Sequence, residues 1–164
     1  MESFNQQQLV DNGVIKPGQY FIQDNESESS YGVIRGLHMQ LPPYSQSKLV
    51  RVVSGRVLDV AVDGRPWSET FGQYVAVELS DKNKRQLFIP KYFLHGFAVL
   101  SKKARFLYKV DEVYNKDSEF GIRYDDAELN IDWQKLTKIP AEKIITSEKD
   151  RIANTLANLK QKLR

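Results

Sequence analysis

The chain has 164 residues, 41% hydrophobic and 27% charged, the balance of one globular domain able to bury a core without staples. It contains no cysteine and two histidines, His38 and His95. This excludes a disulfide framework, a thiolate zinc site, an iron–sulfur cluster, a cysteine nucleophile and any site taking three imidazoles from one chain. The formal net charge of +3 comes without a like-charge block, which argues against nucleic acid and favours a small anionic ligand. No apolar run reaches the roughly 18 residues of a membrane span, and no signal-peptide pattern opens the chain, so a reducing, cytoplasmic setting is expected.

In chain order, Asn5 is a candidate N-cap for a short helix over 5–12. Residues 20–24 read as a strand, and DNESESS (24–30) as a polar loop. VIRGLHMQ (33–40) alternates as a strand and stops at Pro42 and Pro43. KLVRVVSGRVLDVAVD (48–63) reads as two strands turning at Ser54-Gly55, with Leu58, Val60 and Val62 on one face of the second and Val57, Asp59 and Ala61 on the other. QYVAVELS (73–80), RQLFIP (85–90), GFAVLS (96–101) and ARFLYKVDEVY (104–114) continue at the spacing of an antiparallel sandwich or barrel. From Ser147 onward, Ile152, Leu156, Leu159 and Leu163 mark one face of an amphipathic C-terminal helix. Ser147 and Asp150 have the spacing of a capping box, with Asp in place of Glu or Gln. The whole reads as one domain over 1–164, an all-β core with helical ends.

Several side chains have both a chemical and a plain reading. His38, at the end of a strand beside Arg35, suits a general base or a packing histidine. His95, in FLHGF, reads first as a satisfied core histidine. Lys48 opens an apolar strand, as a solvated strand end or as a cation for a developing oxyanion. Asp59 shares a face with Val57 and Ala61, and a buried carboxylate there needs a partner. Tyr108 shares a face with Phe106 and Val110, where a core tyrosine takes one hydrogen bond. Asp150 is either a cap or a functional acid. Two distant histidines without a His-x-His pair disfavour a metal-dependent barrel. No Gly-rich phosphate loop, GxSxG elbow or HExxH is present.

The run QDNESESSYGVIRGLHMQ (23–40) resembles dTDP-4-dehydrorhamnose 3,5-epimerases, cupin-type sugar-nucleotide enzymes. The likeness continues through QSKLVRVVSGRVLDVAVDGR (46–65), SETFGQYVAVELSDKNKRQLFIP (68–90), HGFAVLS (95–101), FLYKVDEVYNKDSEFGIRYDD (106–126), IDW (131–133) and SEKD (147–150). RGLHxQ followed by QxKLV is its most specific part. The resemblance implies a cupin-type jelly-roll barrel, a homodimer, and neither metal nor organic cofactor. It implies a dTDP-linked keto-deoxysugar as substrate, epimerised at C3 and C5 in rhamnose biosynthesis for cell-surface polysaccharide. By resemblance His38 is the base, Asp150 its orienting acid, Tyr108 the acid on the opposite face and Lys48 the enolate-stabilising cation. Asp59 and His95 line the same barrel, Arg35 contacts the diphosphate, Gln23 and Asn25 the nucleotide, and Tyr114 and Glu2 the base ring. Family members carry a further N-terminal Asp-x-Arg-Gly segment ahead of the stretch matching MESFN (1–5). Beginning at Met1, the chain is expected to hold nucleotide and its dimer less tightly. A single-carbon epimerase and a weakened sugar-nucleotide-binding homologue are the alternative expectations. Trp67 stands where the family loop has a polar residue.

Overall fold

The structure, a computed structural model, describes residues 1–163. Helix α1 (Gln6–Asp11) forms where Asn5 predicts it, the Asn5 side chain accepting from the Gln8 N–H. The strands that follow are β1 (Gln23–Ser30), β2 (Ile34–Gln40), β3 (Lys48–Ser54), β4 (Arg56–Asp63), β5 (Tyr74–Ser80), β6 (Gln86–Ile89), β7 (Phe93–Val99), β8 (Lys103–Val110) and β9 (Glu119–Gly121). They pair antiparallel into a four-stranded sheet, β1-β8-β3-β6, and a five-stranded sheet, β5-β4-β7-β2-β9. This is the expected jelly roll. The Ser54-Gly55 turn carries the chain from one sheet to the other.

β4 shows how the alternation is spent. Val57 and Ala61 join Val50, Ile89, Phe97 and Phe106 in the apolar layer between the sheets. Leu58, Val60 and Val62 face the opposite way and pack under the C-terminal segment with Trp133, Leu156 and Leu159. Burying both faces of a strand needs apolar residues on both, which is what 57–62 supplies.

Four expectations are corrected, the first being the strand over 20–24, since β1 begins only at Gln23. Residues 24–30 are not a loop but most of edge strand β1. Its inner row, Gln23, Asn25, Ser27 and Ser29, is polar, and Ser27 of that row lines a cavity. Its outer row holds Asp24, Glu26 and Glu28, which pair with Lys109, Arg105 and Lys103 of β8. With both faces polar, no hydrophobic alternation marks it. At β7 and β8 the strands begin earlier and end earlier than 96–101 and 104–114 suggest. After Val110, Asp111 instead accepts hydrogen bonds from the Ser47 N–H (2.6 Å) and from Gln19 (2.8 Å).

The expected C-terminal helix is two. After α2 (Trp133–Thr137), α3 (Glu148–Arg151) stops before Ile152, which is 77% exposed, and α4 (Leu156–Lys162) restarts at Thr155. Thr155 and Asn158 form a capping box, a fresh start that outweighs continuation of the stripe. At α3, Ser147 accepts from the Asp150 N–H (3.1 Å), but the reciprocal half of a box is missing because the Asp150 carboxylate turns elsewhere.

Candidate active site

A cavity of about 540 Å³ opens between the two sheets. The four-stranded sheet contributes Ser27, Lys48, Phe106 and Tyr108 to it. The five-stranded sheet contributes Arg35, His38, His95 and Phe97. The segment over 145–150 forms its rim.

β2 places two residues there that a regular strand would separate. Arg35 pairs with Phe97, yet His38 pairs with His95, so three residues of β2 span two of β7. An extra residue of this kind is a β-bulge, which re-aims side chains. Gly36 makes it possible: its φ is +107°, and a Cβ would sit 2.5 Å from the His95 carbonyl oxygen and 2.7 Å from the Gly96 Cα. Only glycine fits that approach.

His38 Nε2 lies 2.6 Å from Asp150 Oδ1, and the other carboxylate oxygen faces the Gly36 N–H at 3.4 Å. Asp150 is 3% exposed. Burial pushes its carboxyl up, but the His38 hydrogen bond and charge outweigh this, and the net effect holds it below the usual carboxylate value. It is therefore an ionised partner that orients the ring. Nε2 being engaged, Nδ1 is the nitrogen left for a substrate proton. A second pair lies alongside, with His95 Nε2 at 2.9 and 3.1 Å from the oxygens of fully buried Asp59.

On the facing sheet, Tyr108 and Lys48 point inward. Burial pushes the Tyr108 phenol up; Arg35 opposes this and Glu119 adds to it. Among the described residues its hydroxyl has no hydrogen-bond partner, so it stays a protonated donor with its proton uncommitted. Burial pushes the Lys48 ammonium down to about 8, against the pull of Asp59 and Glu119. Phe97 stacks on Phe106 at 4.4 Å and His95 on Phe106 at 5.8 Å, an apolar wall that strengthens charge interactions beside it.

The structure thus brings together His38, Asp150, Lys48, Tyr108, Arg35 and His95, with Asp59 directly behind His95. Four others lie apart. Gln23 and Asn25 occupy the β1 inner row beyond Ser27, bonded to each other at 2.8 Å. Tyr114 is 57% exposed, and its hydroxyl donates to Glu119 at 2.9 Å. Glu2 sits on the far face of the four-stranded sheet, beside a depression lined by Phe4, Leu49 and Phe88, so within one chain it does not reach this cavity. Trp67 is exposed and meets Tyr92 edge-on, outside the cavity. Sequence reasoning missed Ser27, the Phe97–Phe106 stack, and Lys149 with Glu119. Lys149 lines the rim and bonds Glu119 at 2.6 Å; its place beside Asp150 in SEKD was the available signal. Among the described residues no three His, Asp or Glu side chains cluster to hold a metal ion.

The family model described as dTDP-4-dehydrorhamnose 3,5-epimerase matches residues 1–158. The chain belongs to the dTDP-4-dehydrorhamnose 3,5-epimerase family. A family member from Shigella flexneri is 50% identical over 149 residues, 91% of this chain and 81% of that protein. A crystal structure of the 3,5-epimerase from Legionella pneumophila, in complex with dTDP-4-keto-L-rhamnose, superposes with a TM-score of 0.87 at 47% identity, covering 96% of this chain and 82% of that one. A 3'-monoepimerase from Streptomyces bikiniensis in complex with dTDP-quinovose gives a TM-score of 0.87 at 26% identity, covering 99% and 79%. This epimerase-family chain carries no helix, among its described residues, long and apolar enough to cross a membrane.

Proposed function

We propose that this protein, as one domain, inverts C3 and C5 of dTDP-4-keto-6-deoxyglucose to give dTDP-4-keto-rhamnose. The observation that carries the reading is a histidine–carboxylate pair on one sheet and an uncommitted phenol on the other, across one cavity. A proton beside a ketone is acidic because the carbanion left behind is an enolate. His38, oriented by Asp150, removes that proton. Lys48 stabilises the charge that develops on the keto oxygen. Tyr108 delivers a proton to the opposite face, and the carbon is inverted; solvent then takes the proton from His38 and reprotonates Tyr108. Repeating the sequence at the second carbon completes the reaction. Nothing is oxidised or reduced, and no step needs a metal or organic cofactor.

Arg35, at the cavity wall, suits the diphosphate. Gln23, Asn25 and Tyr114 suit the nucleotide, and Asp59 holds His95 against the sugar. Glu2, on the far face, suits the site of a second copy, which fits a homodimer. A cytoplasmic location accords with a cysteine-free chain and a nucleotide substrate.

The similar monoepimerase supports a second reading, in which one carbon alone is inverted. Turnover in D₂O with NMR of the product separates the two. Deuterium at both C3 and C5 with both inverted is expected. Deuterium and inversion at one carbon establishes the second reading, and no incorporation refutes both.

A further inference from the structure

The base and its carboxylate are tied to one point of backbone. On β2 the Leu37 N–H donates to the Ile122 carbonyl (3.0 Å), and the Ile122 N–H returns a bond to Leu37 (2.9 Å). Gly121, just before Ile122, stands opposite His38 in the β2–β9 register. Its carbonyl accepts two hydrogen bonds from Asn154, from the backbone N–H at 3.0 Å and from Nδ2 at 3.1 Å. The Arg123 N–H donates to the Asn154 carbonyl at 3.0 Å. Asn154 thereby closes a strap whose other end is fixed where the Ile34 N–H donates to Ile145. Asp150 hangs between these anchors.

Gly121 also supplies room. A Cβ there would lie 3.2 Å from His38 Cδ2 and 3.6 Å from the Ala153 Cβ. The imidazole and the strap therefore close on the space a side chain would fill.

We propose that Gly121 and Asn154 form a positioning joint that sets Asp150 against His38, touching no substrate themselves. A four-residue helix does not hold its own shape in water, so the place of Asp150 follows from what its strap is fastened to. The direct contact from the Gly36 N–H is long, and weak for that reason. General-base catalysis needs the pair at hydrogen-bond distance, and small misplacements are costly. The inference rests on the reading of His38 as base.

The test compares wild type, Gly121→Ala and Asn154→Ala for turnover and deuterium exchange with dTDP-4-keto-6-deoxyglucose. Gly121→Ala must displace the His38 ring by a few tenths of an ångström. We expect kcat to fall about tenfold or more, with KM changed by less than about twofold. Asn154→Ala removes only a surface side-chain bond, so it keeps the fold if Gly121→Ala does not. Its kcat should fall roughly threefold at unchanged KM. Because the joint acts through Asp150, adding Asn154→Ala to Asp150→Asn should cost nothing further. The same loss in both backgrounds, a change in KM alone, or wild-type kcat in Asn154→Ala overturns the joint. If wild type itself exchanges no deuterium, the reading of His38 as base fails and the joint with it.

Discussion

At His38 the 2.6 Å bond to Asp150 joins residues 112 positions apart, and the exposed capacity of that ring is its Nδ1. Replacing His38 by alanine leaves Arg35 and the β1 polar row in place, so dTDP binding should survive while exchange at both carbons falls by about 10²–10⁴. Titration calorimetry with dTDP beside NMR exchange checks this, and exchange at the native rate would make His38 structural. Lys48 gives the pH dependence. With its folded value lowered to about 8, the ammonium is present below that pH and lost above it. Stabilisation of the keto oxygen is therefore lost as pH rises. We expect kcat/KM to decline above pH of about 8, and Lys48→Met to lower the rate and flatten this limb. A wild-type profile level through pH of about 10 would show that the cation is not required. The residue types were legible in the sequence, including Asp150, whose spacing from Ser147 fits a helix cap equally well. Its carboxylate rather than its backbone decides the role, and that orientation depends on a contact across the fold.

Among the elements, β2 owes its function to a bulge that strict alternation conceals. Gly36 brings β2 and β7 together so closely that an alanine Cβ would meet the β7 backbone at both His95 and Gly96. Gly36→Ala should cost about 3 kcal/mol, a fall of roughly 6–12 °C in Tm, together with loss of activity as His38 turns away. A melting temperature equal to wild type would show that the strands separate freely there. β4 was readable because both its faces, Asp59 apart, are apolar and split between two cores. β1 was not, because a strand with charge pairs on its outer row and polar side chains on its inner row carries no hydrophobic period. The C-terminal stripe misled at Ile152 for a related reason: spacing reports where apolar residues recur, but the Asn154 bonds to β9 and the Thr155 cap end one helix and begin another.

For the whole molecule, the four-stranded sheet turns its far face outward around Phe4, Leu49 and Phe88, and Val75 on edge strand β5 is 54% exposed. Sheet surfaces and edges of this kind are commonly covered by a second copy. Light scattering at protein concentrations on the order of tens of micromolar should give twice the chain mass, and a monomer alone would refute the homodimer. An antiparallel sandwich or barrel was legible from strand spacing, and the jelly roll from the family resemblance. The separation of Glu2 from the cavity was not, since which face a terminal segment covers is set by packing rather than by local pattern. The proposed chemistry divides between the sheets, base on one and acid on the other. Tyr108→Phe separates the two roles because it keeps the ring and deletes only the donor. Incubated with dTDP-4-keto-6-deoxyglucose in D₂O, this variant should still take up deuterium, since His38 and Lys48 still form the enolate, but should leave at least one carbon, C5 first, with retained configuration. Inversion at both carbons at the wild-type rate would rule out Tyr108 as the proton donor.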